Sequence, residues 1–272
     1  MDITSLQNPR VKHIVRLRED KKTRNEDGLM LVEGYDEIQL ARAAGHTPQT
    51  ILRFDYGVEK HHSSAQRDGR LASRALTDSS IETLTLSRAV FEKISYRENP
   101  DGWMGIFPIP ETSLDDLKLS ANPLVVVAES IEKPGNLGAI LRTADAAGVD
   151  ALLVCDARVD VWNPNVVRAS RGAVFSVSVV ACENAEALKW LKGGMTRIVA
   201  ATPSADEVYS NVDLSQPVAI AVGTEDEGLS DFWMTNADVK VKIPMMGKVN
   251  SLNVAVSKAL ILYEAVRQRS RS

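Results

Sequence analysis

The feature that most constrains this chain is the alternation, over its second half, of short apolar runs with helix-compatible segments. The runs fall at 124–128 (LVVVA), 151–155 (ALLVC), 174–180, 197–201, 218–222 and 239–243. They are apolar at successive positions rather than at every second one, which suits strands buried on both faces of a mainly parallel sheet with helices packed above and below. A long helix is expected to close the chain over 250–269. The fold class is therefore α/β. Shorter pieces give the first half the same class: a basic helix begun by Asn8 and Pro9, a strand LMLVE (29–33), a helix YDEIQLARAAG stopped at Gly45, strands TILRF (50–54) and ETLTL (82–86), and a helix SRAVFEKIS. The polar stretch 55–80 reads as a surface loop with a short helix. PETSLDDLKLSANP (110–123), with a proline at each end, reads as a linker, so the expected domains are 1–112 and 120–272.

With 272 residues, 44% of them hydrophobic and 25% charged, such a chain buries a proper core without covalent staples. Its two cysteines, Cys155 and Cys182, end apolar runs and exclude a disulfide framework. His13, His46, His61 and His62 lack chelating spacing, so no metal is expected. No apolar run approaches the ~20 residues that span a bilayer, and the amino terminus lacks the apolar segment of a signal peptide. A cytoplasmic protein without membrane contact is the expectation. The net charge of −4 argues against a chain coated in basic residues. Locally, RVKHIVRLREDKKTR (10–24) sets seven cations against Glu19 and Asp20. Arg10, Lys12, Arg16 and Arg18 are candidates for nucleic-acid phosphates, with a solvated helix face as the alternative. The same two readings hold for Arg267, Arg269 and Arg271.

Three stretches carry an unusual pattern, each at the carboxyl end of an expected strand, where open parallel sheets bind ligands. The first, KPGNLGAILRTADAAG (133–148), has neither of the glycine spacings that cradle phosphates, and no lysine follows its glycines. What it offers is Asn136, in position to cap a helix, and Arg142 on the second turn. The second, AIAVGTEDEGLS (219–230), carries Gly223, Glu225 and Gly228 in a turn where a ligand can approach the backbone. The third, IPMMGKVNSLNVAVSKALILYEAV (243–266), passes through a glycine turn into a helix that opens with polar residues. A further stretch, PNVVRASRGAVF (164–175), sets Arg168 and Arg171 on one helical face.

In this order and spacing the three stretches resemble the motifs of the SpoU (TrmH-like) RNA ribose methyltransferases of the SPOUT class. ITSLQNPRVK, LVEG and NPDGWMGI are similar to the RNA-binding domain that many members carry ahead of the catalytic one, so the resemblance spans essentially the whole chain. The departures are Thr224 and Asp226 in the second motif and Ala255 and Ser257 after the SLN triplet. The resemblance implies an L30e-like substrate-binding domain followed by a SPOUT domain with a deep trefoil knot. It implies S-adenosylmethionine as cofactor, held by backbone groups near Gly223, Ile243, Met246, Ser251 and Leu252, and methyl transfer to a ribose 2′-hydroxyl. Arg142, Asn136, Glu225 and Asn253 are then the catalytic set, with Glu225 as the charge partner of Arg142. A guanidinium holds its proton too tightly to serve as a base, so Arg142 suits pinning a phosphate and favouring the developing alkoxide. Arg168 and Arg171 would meet RNA phosphates near the site. The implied partners are RNA, ribosomal ahead of transfer, not DNA, and a second copy of the chain, with a stripe of Leu252, Val256, Leu260 and Tyr263 that suits such an interface and equally a core. The competing readings are a tRNA methyltransferase, a noncatalytic RNA- or ribosome-binding protein on the same scaffold, and a nicotinamide-dependent oxidoreductase. The last fits the α/β pattern but lacks the dinucleotide fingerprint.

Overall fold

The structure, a computed structural model, describes residues 2–54, 80–224, 226–248 and 252–270. It divides into two compact units, Met1–Pro110 with Trp162–Ser176, and Glu111–Val161 with Val177–Ser272.

The first unit holds a five-stranded sheet in the order β1-β4-β3-β5-β2, built from β1 (Asp2–Ile3), β2 (Leu29–Glu33), β3 (Thr50–Arg53), β4 (Glu82–Leu86) and β5 (Trp103–Pro108). β5 runs antiparallel to both neighbours and the other pairs are parallel. Helix α1 (Pro9–Glu19) starts where the Asn8 side chain accepts the Arg10 N–H and Pro9 takes the first position, and it buries Val11, Ile14 and Leu17. The basic run is not one helix. Asp20 accepts the N–H groups of Lys22 and Thr23, ends α1 and starts α2 (Lys21–Asp27). Among the described residues, the unit's first stretch also holds the helices α3 (Tyr35–Ala43) and α4 (Arg88–Ile94).

The second unit is a seven-stranded sheet in the order β10-β12-β9-β11-β6-β7-β8, parallel throughout. In chain order it runs β6 (Leu124–Glu129), α5 (Pro134–Ala146), β7 (Ala151–Cys155), then α6 (Pro164–Ser170), which belongs to the first unit, then β8 (Ser178–Cys182) and α7 (Asn184–Gly193). β9 (Arg197–Ala201), β10 (Glu207–Val208), β11 (Val218–Val222), α8 (Asp231–Asn236), β12 (Val239–Lys242) and α9 (Val254–Arg269) follow. β6, β7 and β11 are buried at every position, which explains their unbroken apolar runs. Cys155 and Cys182 are free and face each other across β7 and β8, with their sulfurs 4.0 Å apart.

Four expectations need correction. Residues 162–176, expected within the second domain, pack with the first unit: the Phe175 ring lies against those of Phe107, His46 and Trp162. The run 174–180 is not all strand, because Ala173–Phe175 form a short 3₁₀ turn and β8 begins at Ser178. Most of the expected linker belongs to the second unit, where Leu114, Leu117 and Leu119 pack on its core. Arg269 is no free basic tail: its guanidinium donates to the carbonyls of Asn122, Pro123, Leu214 and Gln216 and fastens the end of α9 beside the start of β6.

Candidate active site

Loops from the carboxyl ends of β9, β11 and β12, with the first turn of α9, enclose a cavity of about 550 Å³. Thr202, Pro203 and Ser204 come from the first loop, Gly223, Thr224 and Asp226 to Leu229 from the second, Ile243 and Met245 from the third, and Leu252, Val254 and Ser257 from the entry to α9. The second loop folds back on itself. Thr224 N–H donates to Gly228 O at 3.0 Å, Gly228 N–H returns to Thr224 O at 3.2 Å, and Gly228 adopts φ +72°. A β-carbon on Gly223 would lie 1.9 Å from Gly228 O, so only glycine allows this fold-back.

The lining has the chemistry of a site for a neutral nucleoside carrying a cation rather than for a phosphate. Its wall combines apolar side chains and backbone with the hydroxyls of Thr202, Ser204, Thr224 and Ser257; among the described lining residues there is no lysine or arginine, and Asp226 and Glu227 supply the only charges. Its volume falls in the ~300–1,000 Å³ range of small-molecule pockets. These features fit S-adenosylmethionine.

Asn253 does not lie inside α9 but caps it, accepting the Ala255 N–H at 3.0 Å. Its amide also donates to Asn136 Oδ1 at 3.1 Å, so the first and third motifs meet through these two side chains. Asn136 is not the cap of α5, which Lys133 precedes and Pro134 opens; it is the third helical residue. Arg142 lies on the same helix and is exposed. Six residues at ~100° each put it about 120° around the axis from Asn136, so the two do not share a face.

Gly223, Ile243 and Leu252 line the cavity, whereas Met246 does not: it is 96% exposed and its neighbour Met245 takes the wall position. Glu225 and Ser251 lie outside the described residues. In the first unit, Lys12 and Arg16 are exposed, and Arg10 is exposed but paired with Glu82 at 2.6 Å. Arg18 is not available to a ligand in the same way. Its guanidinium donates to the Lys93 and Ser95 carbonyls and lies 5.3 Å from the Tyr96 ring centre, binding α1 to the end of α4. Arg168 and Arg171 are exposed but stand in the first unit, not the one that carries the cavity. They share no helical face, since Arg171 lies past the end of α6 at φ +52°.

Sequence reasoning missed Thr202 to Ser204, although the rule that ligands meet strand carboxyl ends points to the TPS turn after β9 as well. It also missed Lys258, which is fully buried on α9 and donates to Ile140 O of α5 at 2.7 Å. Burial pushes this ammonium down to about 7 from 10.5.

Comparison with known proteins agrees with this geometry. Residues 123–263 match the model of the SpoU rRNA Methylase family, and residues 8–105 match that of the MRM3-like substrate binding domain. The chain is 32% identical to a 23S rRNA (uridine(2479)-2′-O)-methyltransferase of Streptomyces viridochromogenes, over 98% of this chain and 92% of that protein. A solved RNA 2′-O ribose methyltransferase superposes with a TM-score of 0.85 at 42% identity, covering 99% of this chain and 100% of the other. The SpoU methyltransferase AviRb from Streptomyces viridochromogenes, solved with the cofactor AdoMet, superposes with a TM-score of 0.86 at 29% identity, covering 97% and 100%. With a parallel α/β sheet, a cavity formed by its second and third motifs, and a family match over more than half its length, the chain belongs to the SpoU rRNA methylase family.

Proposed function

We propose that this protein transfers the methyl group of S-adenosylmethionine to a ribose 2′-hydroxyl of 23S rRNA. The observation that carries the reading is the Asn136–Asn253 contact beside a cofactor-sized cavity, which brings the motifs together at the carboxyl end of one sheet. When bound, S-adenosylmethionine supplies a methyl group activated by its sulfonium. Gly223, Ile243, Met245 and Leu252 would hold the cofactor, and Asp226 and Glu227 would balance its positive charge. Asn136 and Asn253, each fixed by the other, orient the ribose. Arg142 pins an adjacent phosphate and favours the alkoxide that forms as the hydroxyl passes its proton to solvent water. Holding two reactants in line supplies ~7–11 kcal/mol in well-oriented systems, and these residues act by positioning.

Two features favour ribosomal RNA: the substrate-binding domain ahead of the catalytic unit, and the 23S rRNA substrate named for the Streptomyces relative. Incubation with labelled S-adenosylmethionine and RNA from a strain lacking the gene tests this. Label is expected in 23S rRNA at one alkali-resistant ribose linkage. Label in tRNA alone would replace the substrate, and no label in any RNA or ribosomal subunit would leave the noncatalytic reading.

The protein acts as a homodimer in this proposal, in the cytoplasm, with the family's knotted carboxy-terminal segment. A groove between α5 and α9, lined by Ala139, Thr143, Val256, Leu260 and Tyr263, supports the dimer. Its last three residues are 48%, 39% and 49% exposed, an apolar stripe suited to a second copy. Leu260→Glu is expected to convert dimer to monomer in light scattering after size exclusion, and an unchanged mass would refute the interface.

A further inference from the structure

We propose that Glu129, which lies in none of the three motif loops, is a positioning residue that sets the wall of the cofactor cavity. The inference rests on the cofactor reading above. Glu129 ends β6 and is 3% exposed. Its carboxylate accepts Ser230 N–H at Oε2 (2.8 Å), and Ser230 Oγ–H (2.6 Å) and the Asn184 amide (2.7 Å) at Oε1. Asn184 is oriented in turn by the indole N–H of fully buried Trp233, which donates to its Oδ1 at 2.6 Å.

Ser230 closes the loop that begins at Gly223 and forms one side of the cavity. The other end of that loop is held by the sheet, where Val222 pairs with Ala128. Two consecutive residues of β6 therefore fix both ends, Ala128 through the β-ladder and Glu129 through its side chain. The Thr224–Gly228 fold-back between them leaves the loop little freedom of its own. The same strand leads into α5, so Glu129 also ties the cavity wall to the segment that bears Asn136.

The site requires acceptors at both oxygens. A glutamine has the same shape but one amide nitrogen. With that nitrogen at the Oε2 position, two donors meet at Ser230 N–H. With it at Oε1, it faces the Asn184 amide, which cannot turn over without abandoning the Trp233 indole. Aspartate is shorter but keeps both acceptors. Acceptor chemistry and side-chain volume thus predict opposite orders for the two substitutions.

The test is calorimetric titration of S-adenosylmethionine into the full-length protein and its Glu129→Gln, Glu129→Asp and Ser230→Ala variants, with thermal unfolding of each. Glu129→Gln is expected to bind about tenfold more weakly, because a buried donor is left unpaired. Glu129→Asp should bind more tightly than Glu129→Gln. Ser230→Ala should weaken binding about threefold by removing one of three donors, while kcat at saturating cofactor stays near wild type. Glu129→Gln binding like wild type, or more tightly than Glu129→Asp, overturns the role. Should Glu129→Gln fail to fold, Ser230→Ala decides: unchanged affinity in a folded variant overturns it. Failure of the wild type to bind S-adenosylmethionine overturns this role and the cofactor reading together.

Discussion

Replacing Lys258 by Met should stabilise the protein at and below neutral pH, and the gain should vanish as the pH rises. Lys258 is fully buried, and burial alone lowers its ammonium from 10.5 to about 7. In the unfolded chain the side chain regains its ordinary affinity for the proton, so between pH 7 and 10.5 the unfolded state binds more protons than the folded one. Stability therefore rises with pH across that window as the penalty of the buried charge is relieved. The fall from 10.5 to about 7 makes the full penalty about 5 kcal/mol below pH 7, most of it gone by pH 9.5. Methionine has no charge to desolvate but loses the bond to Ile140 O, an offset of about 1–3 kcal/mol that does not vary with pH. The advantage of the variant over wild type should thus shrink by about 3 kcal/mol between pH 6.5 and 9.5. At ~2–4 °C per kcal/mol, the gap in Tm closes by about 6–12 °C. Differential scanning calorimetry of both proteins across this range measures it, and all other titrating groups cancel in the difference. A gap in Tm independent of pH would refute the reasoning, since it would mean that Lys258 carries the same charge in both states throughout.

Other substitutions separate the parts of the site. Arg142→Ala should abolish methyl transfer while leaving S-adenosylmethionine affinity within about threefold, because the exposed guanidinium does not line the cavity; equal losses of both would contradict its role on RNA. Gly223→Ala forces a methyl group onto Gly228 O and should weaken cofactor binding at least about tenfold, as read by calorimetry. Arg16→Glu should weaken RNA binding and flatten its salt dependence without lowering Tm. Arg18→Glu should lower Tm by several degrees through loss of the Lys93 and Ser95 contacts, and an unchanged Tm would show that those contacts hold nothing.

The contrast between Arg16 and Arg18 shows what the sequence could and could not convey. Both belong to one basic run, and spacing gives no means to tell them apart. What separates them is α4, some 70 residues later, whose last carbonyls take up one guanidinium and leave the other in solvent. Likewise the apolar runs announced the parallel sheet, because burial on both faces is written in consecutive residues. The edge of that sheet was not legible: Phe175 continues an apolar run yet belongs to the first unit, where it packs against Phe107, a choice made by a partner distant in sequence. Asn136 reads as a helix cap because asparagine is among the residues preferred at a helix start. Its actual partner is Asn253, 117 residues away. Met245 and Met246 are the same residue type in succession, and only the direction of the chain leaving β12 decides which one meets the cavity. Motif recognition thus found the loops, whereas the side chains that fix those loops in place, Glu129 under the second motif and Lys258 between α5 and α9, lie in apolar strand and helix where a lone polar residue carries no local signal. A buried polar group needs partners: the Glu129 carboxylate finds three donors, whereas the Lys258 ammonium, with one carbonyl, loses much of its hold on the proton. Such groups are tolerated inside a core where they hold together segments that the chemistry needs in register, and in this protein those segments are the cofactor wall and the two helices whose asparagines meet at the site.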